Sequence, residues 1–263
     1  MRSMANHAGK QRGCPPAARF YTPDMVTTPK TARAAEVRAA LAELADPAVA
    51  VSAARYFKTG PGQYGEGDVF VGVRVPVVRT VVRRFRGLPL DEIDALLDDA
   101  EHEHRAAGVM LLVAAYRGSP GEVVEHYLAA VRRGRVNNWD LVDASSEFIL
   151  GPWLLDRDRG LLRELAASTS LWERRVAVLA TFEFIRHGDA STTLELAEML
   201  LGDREDLMQK AVGWMLREAG KRVSPDVLLG FLDAHAAAMP RTMLSYATEH
   251  LDAEVRARYR AMR

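Results

Sequence analysis

The sequence predicts an all-α protein: a curved α-solenoid of stacked helical hairpins. Three observations predict it. Apolar residues recur at helical spacing along most of the chain, and strand signals are nearly absent. Helix pairs are expected to open near residues 103, 138, 171, 205 and 240, a period of roughly 35 that marks HEAT-like repeats. No single hairpin can bury its own apolar side. Stacking buries it, the stack curves, and the concave face becomes the natural binding surface.

The elements follow in order. Residues 1–27 read as a flexible leader, with Pro15, Pro16 and Pro23 and no apolar period. Residues 28–263 read as one HEAT-like helical-repeat domain. Its first helix is expected over 28–44, with Thr28 as cap, Pro29 in the first turn and Val37, Leu41 and Leu44 as apolar stripe. A short helix follows over 47–57. Gly60, Gly62, Gly65, Gly67 and Pro61 then exclude regular structure. That stretch is either a plain linker or a mobile loop beside a site. The run 69–75 alternates poorly and reads as an extended connection.

Further helices are expected over 76–85, 88–97 and 103–116, and from Ser119–Pro120 to about 133. The next is expected over 138–150, stopped by Gly151–Pro152. Others follow over 156–167, from a Ser170–Glu173 capping pattern to about Gly188, and over 192–201, 203–219, 224–238, 240–250 and 252–262.

Bulk composition bounds the function. Lys+Arg and Asp+Glu are both 35, so the net charge is zero, which argues against a strong indiscriminate polyanion binder. Lysine occurs only at 10, 30, 58, 210 and 221. The remaining cations are arginine, which a GC-rich coding sequence also produces. A single cysteine, Cys14, excludes an internal disulfide and a cysteine-based zinc cluster, and fits a reducing, cytoplasmic setting. No run of about 18 apolar residues exists, so no membrane helix is expected. His102 and His104 lie two apart, on different faces of a helix, and make no zinc motif. No nucleotide-binding glycine turn and no serine nucleophile elbow appears. Neither metal nor cofactor is expected.

The stretch from Asn137 to Asp143 carries the sharpest candidates. Trp139 and Asp143 are four apart and share one helix face, with Ser146 and Glu147 expected on it too. Asp140 falls in the first turn, where it favours the helix dipole. Spacing alone favours reading Asp143 as a surface acid and Trp139 as a core residue. Lys210, Trp214, Arg217 and Lys221 fall on one stripe, suited to a sugar–phosphate backbone or to a solvated basic face. Trp172 precedes Arg174 and Arg175 at a helix start, and either arginine can form an ion pair or hold a phosphate.

Together these stretches resemble one family. The matching pieces are Tyr56–Phe57–Lys58–Thr59, Phe70 to Pro76, Asn138 to Asp143, Trp172 to Arg175, Asp206 to Glu218 and Met239 to Leu244. The chain resembles the bacterial DNA alkylation repair proteins of the AlkD type, HEAT-like alkylpurine DNA glycosylases, over about residues 30–255. The resemblance implies a cleft of one aspartate, one arginine and two tryptophans, which fall by motif on Asp143, Arg175, Trp139 and Trp214. Tyr56 matches a cleft tyrosine. Lys210, Arg217, Lys221, Arg174 and Arg241 are expected to hold the DNA backbone. The partner it implies is duplex DNA carrying alkylated purines such as 3-methyladenine and 7-methylguanine, with the product an abasic site. No lysine belongs to the implied core, so no Schiff-base step is expected, and a monomer suffices. Two other readings stand: a non-catalytic binder of bent or damaged DNA, and a helical scaffold for a protein partner.

Overall fold

The computed structural model describes residues 32–262. The expected leader and the expected cap Thr28 lie outside them. Fifteen helices make up the described chain, and no strand is present among the described residues. The first is α1 (Ala34–Ala42), and α2 (Pro47–Tyr56) is capped by Asp46, whose carboxylate accepts from the Ala48 amide at 2.8 Å. Next come α3 (Val75–Arg84), α4 (Leu90–Leu97), α5 (His102–Ala115) and α6 (Pro120–Arg132). Ser119 stands at the start of α6 without a side-chain capping bond, so Pro120 alone marks that boundary.

The expected helix over 138–150 is two helices. α7 (Trp139–Asp143) ends at Ala144, and α8 (Ser146–Leu154) runs straight through Gly151–Pro152. Two tertiary causes override the local signals. The buried Ser145 hydroxyl donates to the Leu141 carbonyl at 2.6 Å and lies 3.0 Å from the Tyr127 hydroxyl on α6. A side chain bonded back to the preceding turn bends or breaks a helix there. Gly151, read as a stop, is a close-packing point instead. A Cβ there would come within 2.6 Å of the Glu183 Cβ on α10. Ser146 and Glu147 are therefore buried in α8 and do not extend the Trp139–Asp143 face.

Then follow α9 (Gly160–Ala166), α10 (Leu171–Arg186), α11 (Ser191–Met199), α12 (Asp206–Arg222), α13 (Pro225–His235), α14 (Arg241–Ala247) and α15 (Ala253–Arg260). Ser170 caps α10 by accepting from the Glu173 amide at 3.5 Å, and Ser224 caps α13 at the Asp226 amide. α9 starts later than expected, because the Asp158 side chain turns the chain at Gly160.

The helices opening each hairpin begin at residues 102, 139, 171, 206 and 241, close to the expected period. They form one layer: α7 lies on α5, α10 on α8, α12 on α10 and α14 on α12. The second layer holds α6, α9, α11 and α13, and one continuous apolar core runs between the layers. The repeat is also written in side chains. Arg132–Glu164, Arg163–Glu195, Arg175–Asp143 and Arg217–Glu249 each join residues 32 apart, one hairpin to the next. The chain is an α-solenoid, and its stacked first helices present one shared face.

Candidate active site on the α7–α10–α12 face

Asn138 sets the geometry of α7. It is fully buried, and its side-chain oxygen accepts from the Trp139 amide at 2.8 Å. Its side-chain nitrogen donates to Asp68 at 3.1 Å. One amide thus caps the site helix and ties it to the glycine-rich loop. Trp139 is placed by an aromatic cluster: its ring stacks on Phe57 at 5.4 Å and meets Tyr56 edge-on at 6.0 Å. Tyr56, the expected cleft tyrosine, is exposed beside it.

One turn on, Asp143 meets Arg175 of α10 in a two-pronged ion pair. Nε and Nη2 donate to the two carboxylate oxygens, each at 2.9 Å, and Nη1 donates to the Leu207 carbonyl of α12 at 2.6 Å. Arg175 therefore links three successive hairpins. Burial pushes the Asp143 carboxyl above its ordinary range, against the pull of the guanidinium. The Asp143 side chain still keeps 21% of its surface exposed, so the carboxylate sits in a recess and not inside the core.

Trp172, one turn before Arg175, mirrors Trp139 before Asp143. Tyr64 of the glycine-rich loop spans the two indoles. Its hydroxyl accepts from the Trp139 Nε1 at 3.3 Å, and its ring meets Trp172 edge-on at 6.3 Å. The Lys58 ammonium lies 5.8 Å from the Tyr64 ring centroid. The stretch read as either linker or site loop thus packs against Trp139 and Trp172. Trp214 is half-buried on α12 and packs at 6.0 Å on Phe182, two turns beyond Arg175 on α10. Asp143 and Arg175 touch directly, whereas the contact shown for Trp214 is with Phe182 of α10.

The expected DNA-contacting cations differ in what they already hold. Arg174 donates to Asp203 at 2.8 Å and to the Ser168 and Thr169 carbonyls, so its guanidinium closes a loop. Arg217 pairs with Glu218 and Glu249. Lys210 pairs with Asp206 at 2.6 Å but stays partly exposed. Lys221 and Arg241 are exposed, and Arg241 borders a recess of about 40 Å³ with Leu244, Ser245 and Arg260.

A second polar cluster is absent from the expected residues. Asp68 is buried and accepts from His102 Nδ1 at 3.1 Å, Arg105 at 2.5 Å, Asn137 at 3.3 Å and Asn138 at 3.1 Å. His102 Nε2 meets Asp140 at 2.9 Å, so Asp140 does more than favour the helix dipole. Burial works against the charged imidazole, but the bonds to Asp140 and Asp68 prevail and raise its pKa to about 9. Phe70 stacks on that ring at 4.7 Å. Beside it, Glu103 accepts from the amides of Val71, Gly72 and Val73 at 2.9, 2.9 and 3.1 Å. That carboxylate satisfies the extended run, which has no partner strand. Motif spacing hides these contacts; the only trace is the repeat, since Asp68 and His102 lie 34 apart.

Asp99, Glu101 and His104 bring three ligand-type atoms within 4.8 Å of one another. Arg38 donates to the same Asp99 oxygen at 2.6 Å, so a positive charge already neutralises that group. No described helix is long and apolar enough to cross a membrane.

Known proteins give the same direction. A family model described as DNA alkylation repair enzyme matches residues 37–251. No curated protein sequence matches. A solved structure described as a predicted DNA alkylation repair enzyme from Enterococcus faecalis shares the fold, with a TM-score of 0.66 and 20% identity. The match covers 80% of this chain and 97% of that one. The chain belongs to the DNA alkylation repair enzyme family.

Proposed function

We propose that this repair protein is a monofunctional DNA glycosylase. It hydrolyses the N-glycosidic bond of cationic alkylated purines in duplex DNA, such as 3-methyladenine and 7-methylguanine, and leaves an abasic site. The observation that carries the reading is a recessed carboxylate, Asp143, gripped by Arg175, with Trp139 one turn before the acid and Trp172 one turn before the arginine.

The chemistry suits those groups. An N3- or N7-alkylated purine is positively charged and leaves readily. As the bond from C1′ breaks, its electron pair goes to the base, which becomes neutral, and positive charge moves to the deoxyribose. Asp143 stabilises that oxocarbenium and orients the attacking water. Water adds at C1′, and its proton passes to Asp143, whose raised pKa makes it a better base. The indoles of Trp139 and Trp214 shield the carboxylate, and their electron-rich faces favour a cation. A guanidinium has five N–H donors, and Arg175 commits three of them within the protein. The other two would serve a phosphate that approaches this recess. Lys210, Lys221 and Arg241 hold the neighbouring backbone. One chain supplies every group, so the enzyme works as a monomer.

Mass-spectrometric identification of bases freed from methylated duplex DNA tests the reading. Free 3-methyladenine or 7-methylguanine under single-turnover conditions supports it, and their absence overturns it. A second reading is favoured by the closed Asp143–Arg175 pair, which also suits a non-catalytic binder of damaged DNA. In that case Asp143→Asn would leave both duplex binding and an already absent base release unchanged.

A further inference from the structure

α3 continues the layer that carries the candidate site. It packs on α5, which packs on α7, and its Val78, Val81 and Val82 are buried in the core between the layers. Arg79, Arg83 and Arg84 lie on the opposite side of the helix and are exposed. That side is the shared face of the stacked first helices.

The charge there is one-sided. Between Asp68 and Asp91 the chain places five arginines, Arg74, Arg79, Arg83, Arg84 and Arg86, and no acid. In a chain of zero net charge this is a local excess of cations, which arginine-rich composition alone does not produce. α5, on which α3 packs, has a single acid, Glu103, and that carboxylate is buried on the Val71, Gly72 and Val73 amides. Later hairpins differ: Arg163 pairs with Glu195 and Arg217 with Glu249, each one hairpin on. Arg79 and Arg83 are four apart, a spacing at which like charges repel on a helix. Arg83 is steadied there by donating from Nη2 to the Thr80 hydroxyl at 2.9 Å. A duplex is a rigid polyanion longer than the site itself, so its flank must lie along some part of the shared face. The direction towards α3 offers it cations without a competing acid from α3.

We propose that the exposed face of α3 binds the sugar–phosphate backbone of the DNA flank on one side of the lesion. α3 is two helices from α7, about 20 Å at 8–10 Å per packed pair, which is about six base pairs at 3.4 Å each. The proposal rests on reading the Asp143 recess as the place where the lesion lies, but not on base release. The test titrates binding across salt on a duplex carrying a tetrahydrofuran abasic analogue, which sets the register. Arg79→Gln, Arg83→Gln and Arg84→Gln combined should reduce the salt slope by about two to three counterions on a duplex with long flanks. Cutting one particular flank to about three base pairs should bring the wild-type slope down to that of the triple variant, and cutting the other should not. Arg83→Gln alone should lose about one counterion, and it keeps the test open if the triple variant does not fold. A folded variant with the wild-type slope overturns the proposal. A deficit that survives the cutting of either flank also overturns it, because that is diffuse attraction and not a placed contact. A protein that binds as stated but frees no methylpurine overturns the glycosylase reading and leaves this one standing, and a wild type with no salt-dependent duplex binding overturns both.

Discussion

Asp140 and Asp143 lie three residues apart on α7, and each carboxylate meets a buried cation from another hairpin. The cations differ in what remains of them. His102 uses both ring nitrogens, one on Asp140 and one on Asp68, and packs against the rings of Phe57 and Phe70. Arg175 keeps donors beyond those bound to Asp143 and Leu207, and its partner stays partly open. An imidazole with both ring nitrogens bonded has no donor left for a ligand and holds elements together. A pair with capacity left can take up a ligand. On the proposed reading, the Asp68–His102–Asp140 cluster fastens the helices and Asp143–Arg175 meets the DNA.

The largest effect should come from the fastening cluster. Asp68→Ala removes the acceptor of four side-chain bonds and leaves His102 and Arg105 short of a counter-charge. Breaking a buried pair in this way costs about 3–5 kcal/mol, and urea unfolding should show it. A loss below about 1 kcal/mol would break the comparison.

Asp143→Asn should behave in the opposite way. Base release should fall by about 10²–10³-fold, with a much smaller change in unfolding midpoint than Asp68→Ala produces. Single-turnover kinetics and thermal melts on the same preparations separate the two losses.

The pH dependence sharpens the contrast further. The folded pKa of His102 is raised from 6.5 to about 9, so its charged form stabilises the fold. That contribution is fully present below pH 6.5 and is lost as pH rises through about 9, amounting to roughly 3 kcal/mol at most. Unfolding measured between pH 6 and pH 10 should show the decline, and His102→Gln should flatten it.

The smallest effects separate the surface cations. Lys221→Ala should weaken duplex binding a few-fold and reduce the salt dependence by about one counterion. Arg174→Ala should leave that slope unchanged, because its guanidinium is committed to Asp203 and two carbonyls. Fluorescence titrations at several salt concentrations decide it.

The helices and their period are legible in the sequence because amphipathic spacing is a local signal. The break between α7 and α8 is not, because its cause includes the Tyr127 hydroxyl beside Ser145, on another hairpin. Gly151–Pro152 misleads for a related reason: the close approach of α10 outweighs two residues that usually end a helix. Asp143, Arg175, Trp139 and Trp214 are named by motif resemblance, and spacing alone leaves each open to a bland alternative. The contacts of Tyr64, His102 and Asp68 escape because each is made with residues one or more hairpins away. A glycine-rich loop shows that regular structure stops there, but not what its one tyrosine touches.

Asn138 has a consequence that reaches beyond α7. Its amide faces two opposite demands: an acceptor for the Trp139 N–H and a donor for Asp68. Aspartate would meet the first and set two negative charges against each other. Serine is too short to serve both ends, and leucine would leave the Trp139 amide unpaired and remove one of the four donors to Asp68. The identity of one residue that need touch no nucleic acid thus governs whether loop and indole hold the same alignment, and position 138 has almost no chemical latitude.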